Sequence, residues 1–212
     1  MSCAYQARHI YQDLINAVIW QKKDAMKKSY ENRLFTHYAE GSRILTFFIG
    51  YIMKDTVDVF LWKDGMVFLT HHMLAALAAW GGLFPDGAHY YGILYFGLLE
   101  TSTIPLSLLA NFDDDFGAKG LGEALPRTKV AIGCIFAISF FVFRVVLWSA
   151  VSYFACKDLW AVLKSDDPRL EGRKTWFRYL LVGIIPLSLL QLVWLGDIIV
   201  AGKTELDNIG YL

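Results

Sequence analysis

Long apolar runs, each broken by one or two isolated charges, constrain this chain more than any other feature. Asp55, the pair His71-His72, Glu100 and Arg144 each lie inside a stretch that otherwise reads as a membrane span. A charge held in hydrocarbon costs about 2.5–3.5 kcal/mol on insertion scales, so such residues face one another, a cavity or a partner. Composition agrees with the class. Of the 212 residues 56% are hydrophobic and 16% aromatic, where a soluble domain holds roughly 45–50% apolar residues. The expectation is an all-α, polytopic transmembrane helix bundle of about five spans, preceded by an N-terminal amphipathic helix.

The spans are expected near 42–62, 65–84, 88–110, 128–156 and 176–202. Each approaches the ~20 residues that cross a ~30 Å hydrocarbon core. Aromatic residues including Trp62, Trp80, Tyr90, Trp148 and Tyr179 sit near several span ends, as interfacial belts require. Pro85-Asp86-Gly87 reads as a tight turn, and Pro105 and Pro186 fall within spans. With five crossings, most of the lysine and arginine lies on the side of the N-terminal arm, which places that side in the cytosol or matrix.

Residues 1–40 read as an interfacial arm, 41–202 as the transmembrane domain and 203–212 as a tail. Between Ala7 and Val18, Ile10, Tyr11, Leu14 and Ile15 recur at helical spacing opposite Arg8, His9, Gln12 and Asp13. Such a helix lies flat on the bilayer or docks on another subunit. A basic cluster follows it: Lys22, Lys23, Lys27 and Lys28. Net charge is zero, so nothing points to nucleic acid. Three cysteines cannot close a disulfide framework. Cys134 and Cys156 fall on one expected helix, ~33 Å apart at ~1.5 Å per residue, too far to bond to each other within it.

Lys54 and Asp58 are four residues apart and can pair along the first span. Asp55 shares a helical face with Tyr51 and Asp58, and calls for a partner on another helix. His71 and His72 point ~100° apart on a helix and cannot readily chelate one ion together, so no metal site or cofactor is expected there. One of them is either a general base or nucleophile, or a structural partner of Asp55 or Glu100. Glu100 and Arg144 sit centrally in the third and fourth spans and are natural partners. The intramembrane polar set is therefore Tyr51, Asp55, His71, His72, Glu100, Ser102 and Arg144. The acidic run Asp113-Asp114-Asp115 lacks the spacing of a calcium-binding loop and reads as a solvated one.

Taken in order, Phe48-Ile49-Gly50-Tyr51 with Asp55, then His71-His72, Glu100-Thr101-Ser102-Thr103, Phe140-Phe141-Val142-Phe143-Arg144 and Leu190-Gln191-Leu192-Val193-Trp194 resemble the TLC-domain family over roughly residues 40–202. That family includes ceramide synthases, the translocation-associated TRAM proteins, a cargo receptor and proteins linked to phospholipid composition. The resemblance implies a helical bundle around a polar cavity and residence in the endoplasmic reticulum. His71-His72 match the first part of the synthase reaction centre. Its later His-Asp motif is missing, because Leu98-Leu99-Glu100-Thr101-Ser102 stands there, which points to the non-synthase branch. The arm also stands where the family usually has a full span.

Two functions follow. One is lipid binding or membrane lipid homeostasis, with membrane lipids as partners. The alternative is a non-catalytic accessory subunit of a large membrane complex, such as a mitochondrial respiratory or ATP synthase complex of the inner membrane, held through the arm. A ceramide-synthase type acyltransferase ranks third. The residues lean away from an enzyme. In one, His72 would be base or nucleophile beside His71, with Glu100 orienting it and Arg144 binding phosphate or carboxylate.

Overall fold

The structure, a computed structural model, describes residues 3–18, 30–62, 65–115 and 117–208. Eight helices and no strand occur among them. They are α1 (Cys3–Val18), α2 (Tyr30–Phe35), α3 (Ala39–Trp62), α4 (Met66–Leu83), α5 (His89–Ala110), α6 (Leu121–Ala124), α7 (Pro126–Leu163) and α8 (Lys174–Asn208). The basic cluster Lys22–Lys28 and the Trp62 side chain lie outside the described residues.

Four helices, α4, α5, α7 and α8, are long and apolar enough to cross a membrane. The fifth expected span, α3, has the length at 24 residues. Lys54, Asp55 and Asp58 in its second half, with Glu40 and Arg43 in its first, keep it out of that set. Helix α7 runs on to Leu163, past the expected end near 156, and α8 continues through Asn208, so the tail begins as helix. Pro186 is accommodated inside α8.

The chain divides into two compact units. The first comprises residues 1–98 and 150–187, the second 99–149 and 188–212. In the first unit, α3 packs along α4. Leu45, Phe48, Ile52, Ala75 and Ala79 form the buried seam, with the Phe96 ring tilted against Phe48 at 4.3 Å between ring centres. Small residues permit the approach, since a Cβ on Gly82 would strike Leu45 at 2.6 Å. A Cβ on Gly81 would overlap the Trp176 ring outright.

Helix α1 forms as its periodicity predicts, and its apolar face is covered by its own chain. Ile10 and Leu14 are fully buried, and α1 lies against α3 and the Leu94–Leu98 segment of α5. Ile15 stays exposed. The stripe that reads as a bilayer or partner contact is thus largely spent on packing within the first unit.

In the second unit, α7 packs against the Thr103–Ala110 part of α5. Phe136 and Phe140 stack edge to face, Lys129 meets Glu205 at 3.0 Å, and the Trp148 indole donates to Ser188 Oγ at 2.9 Å. The acidic loop is exposed and closes on itself. Asp114 accepts from Gly120 N at 2.7 Å, and Asp113 accepts from Asp115 N at 2.8 Å. Cys134 and Cys156 are both free.

Candidate functional site

The expected intramembrane residues form one polar group in each unit. In the first unit, Asp55 and His72 meet across α3 and α4, with Asp55 Oδ2 3.2 Å from His72 Nε2. The α3–α4 seam brings them together because each lies close to the connection between the two helices. Asp55 is seven residues from Trp62, or ~10 Å along the axis at ~1.5 Å per residue, and His72 six from Met66, or ~9 Å. The dyad therefore lies on the connection side of the midpoint of each helix, as the expected bounds 42–62 and 65–84 place it.

His72 is the inward-facing histidine, 4% exposed, and His71 beside it is partly buried with its ring tilted at 5.6 Å. On its far side, His72 Nδ1 lies 3.4 Å from Thr56 Oγ1, whose own proton goes to the Ile52 carbonyl at 2.6 Å. Asp55 accepts from His72 Nε2–H, and the Thr56 hydroxyl stands beside Nδ1. Asp55 thereby fixes the orientation of the imidazole from α3. Asp55 keeps a third of its side chain accessible. Exposed Met53 and Val57 flank it on the same helix. Tyr51 packs beside the seam against Phe48. Lys54 and Asp58 bond to each other along the exposed side of α3, as their spacing predicts.

In the second unit, Arg144 Nη2 donates to Glu100 Oε2 at 2.5 Å, the partnership expected from their depth. Arg144 Nε donates to the buried Ser102 hydroxyl at 3.2 Å, and Thr103 donates to the same Glu100 oxygen at 2.8 Å. The backbone is irregular at both partners. Glu100 and Ser102 lie in a 3-10 turn, Leu99–Ser102, which follows a π-helical segment, and Arg144 lies in the π-helical segment Phe141–Leu147. Such departures inside helices concentrate at functional or strained positions. The carboxylate that His72 meets is Asp55, so Glu100 serves Arg144.

Two further polar groups of the first unit went unseen in the sequence. Asp158 on α7 is buried and accepts from Arg33 Nε at 2.6 Å, Arg33 Nη2 at 2.7 Å and the Tyr91 hydroxyl at 2.5 Å. Burial opposes the Arg33 cation, but the hydrogen bonds to Asp158 prevail and raise its pKa above the ordinary guanidinium value. His89, fully buried at the start of α5, lies beside Asp86 and His37. Arg33, Tyr91 and Asp158 are far apart in the sequence, and Asp86 and His89, though three residues apart, span a turn rather than a helix face.

A family model for the TLC domain matches residues 4–200. The chain belongs to the TLC-domain family. The matched region takes in α1, so in this TLC protein the amphipathic helix lies inside the family's domain. With its four apolar helices, the TLC protein is an integral membrane protein. No curated protein and no solved structure gave a match.

Proposed function

We propose that this TLC protein binds a membrane lipid through the Asp55–His72 dyad, as part of membrane lipid homeostasis rather than ceramide synthesis. The observation that carries this reading is the partial exposure of Asp55. A carboxylate backed by a buried imidazole stays a third accessible on the face of α3 that it shares with Tyr51 and Asp58. A polar group so placed is costly unless something polar covers it. At ~10 Å from the helix end it lies at a depth that the glycerol and ester region of a phospholipid can reach. A lipid hydroxyl or ammonium would donate to Asp55, with the buried His72 holding the carboxylate in place from behind. The family's ties to phospholipid composition favour the same reading, with the endoplasmic reticulum as its compartment.

The accessory-subunit reading keeps one observation in its favour. Glu100 and Arg144 satisfy each other with help from Ser102 and Thr103, which is what a scaffold retains. That reading goes with a large complex, the mitochondrial inner membrane being its proposed home.

Native mass spectrometry of the protein in mild detergent decides between them. One lipid retained per chain, with occupancy several-fold lower in Asp55→Asn and His72→Gln, supports lipid binding. Equal retention in wild type and both variants, or none in any, overturns it. Stoichiometric recovery of other polypeptides with no lipid would establish the scaffold instead.

A further inference from the structure

His37, Asp86 and His89 come from three places in the chain and converge on one point. His37 is in the link between α2 and α3, Asp86 in the turn between α4 and α5, and His89 opens α5. Asp86 Oδ1 lies 2.9 Å from His37 Nδ1 and 3.1 Å from His89 Nε2. The donor atoms of all three lie within 4.8 Å of one another, and the two rings are 4.7 Å apart. Around a tetrahedral zinc ion with bonds of about 2.0–2.1 Å, neighbouring donors stand roughly 3.3 Å apart. Asp86 already stands near that spacing from both imidazoles, and the two imidazole donors, within 4.8 Å, need close by no more than ~1.5 Å to seat an ion.

The surroundings hold the three donors in place. His89 is fully buried, and its Nδ1 lies 3.1 Å from Tyr38 N and 3.2 Å from Tyr38 O. The ring therefore has a backbone partner in either tautomer. Nε2 faces the Gly82 carbonyl at 2.8 Å, so a cation would displace the Nε2 proton there, with Nδ1–H then donating to the Tyr38 carbonyl, the outer-shell arrangement that metal-bound histidines use. Gly41 leaves room for His89, since a Cβ there would strike the His89 Cβ at 2.8 Å. Asp86 and Ala88 both adopt left-handed backbone, at φ 63° and 57°, an uncommon state for residues other than glycine. The turn is fastened by Ala88 N to Leu34 O at 2.7 Å and by Arg173 Nε to Pro85 O at 3.0 Å. His37 and Asp86 remain about half exposed, which leaves an entry path and an open coordination position.

We propose that His37, Asp86 and His89 bind one divalent transition-metal ion of the zinc class, tying the α2–α3 link to the α4–α5 turn. Two imidazoles and a carboxylate select zinc or its borderline neighbours over magnesium and calcium, which prefer oxygen-only shells. The Gly82 carbonyl, 2.8 Å from His89 Nε2, is a further oxygen at the edge of the site.

The test uses the full-length protein in detergent, stripped with a chelator and titrated with Zn2+ by elemental analysis and with Co2+ by visible absorption. One ion per chain and the intense bands of four-coordinate cobalt are expected. His37→Ala, and Asp86→Asn, whose asparagine tolerates the left-handed backbone, should each weaken binding at least ~10-fold, the low end of what even outer-shell partners contribute. Both should melt as the wild type does without metal, yet lose the rise in melting temperature that Zn2+ gives it. Asp114→Asn, in the acidic loop, should bind as the wild type does. No stoichiometric ion, or binding that neither His37→Ala nor Asp86→Asn weakens, overturns the proposal.

Discussion

Arg33 and Asp158, 125 positions apart in the chain, form a two-pronged ion pair in the buried part of the first unit, with nitrogen–oxygen distances of 2.6 and 2.7 Å. The Tyr91 hydroxyl supplies a third donor to the same carboxylate. The pair joins the short helix α2, outside the apolar spans, to the end of α7. Breaking a buried pair from one side leaves an unpaired charge and costs about 3–5 kcal/mol, whereas replacing both partners with apolar residues is often neutral. Asp158→Ala should therefore lower the melting temperature sharply in detergent. Arg33→Met combined with Asp158→Leu should recover most of the loss. A single variant that melts like the wild type would show that water or another group already satisfies Arg33.

Gly81 is a packing requirement rather than a hinge. It sits inside α4 with no positive φ, and any Cβ there overlaps the Trp176 ring. Gly81→Ala should destabilise by about 1–3 kcal/mol, the usual range for overpacking. Adding Trp176→Leu should restore part of that stability. If Gly81→Ala alone raises the melting temperature through its helix propensity, the contact yields more easily than the geometry implies.

The class of fold was legible because hydropathy reports burial in lipid directly. The limits of that signal show at α3 and α7. Lys157 and Asp158 looked like the end of a span, but Asp158 is buried against Arg33, and the helix continues. Three charges made α3 less apolar than its length suggests. The amphipathic stripe of α1 was plain, yet a stripe does not say which surface it covers, and here α3 and α5 cover it. Within the polar set, Glu100 and Arg144 could be paired by depth alone. His37, Asp86 and His89 could not be found, since their grouping depends on how the α2–α3 link folds back onto the α4–α5 turn.

Asp167 gives a pH signature outside the apolar helices. Its carboxylate accepts from the Arg169 side chain and backbone N–H, and these bonds lower its pKa below the ordinary aspartate value. A carboxyl depressed in the folded state adds stability that is fully present above its unfolded pKa and lost as pH falls through the folded one. The Arg169 partner is about half exposed, so solvent screens the pair and the effect is small. The melting-temperature gap between wild type and Asp167→Ala should stay constant from about pH 8 to 5, then close below about pH 3.9. A gap that widens on acidification would contradict the assignment.

Glu100 and Arg144 separate a packing role from a ligand role, because the two predict opposite results for the same double variant. As a structural pair they need only each other. Arg144→Met alone should then destabilise by about 3–5 kcal/mol, and Arg144→Met with Glu100→Leu should restore the melting temperature. If the guanidinium also holds a lipid phosphate, the double variant should regain stability while losing lipid occupancy in native mass spectra. The dyad reading expects occupancy to be kept, because Asp55 and His72 are intact in that protein. Loss of lipid in the stable double variant would move the binding site to the second unit, to the irregular turn at Glu100 and the π-helical segment that carries Arg144.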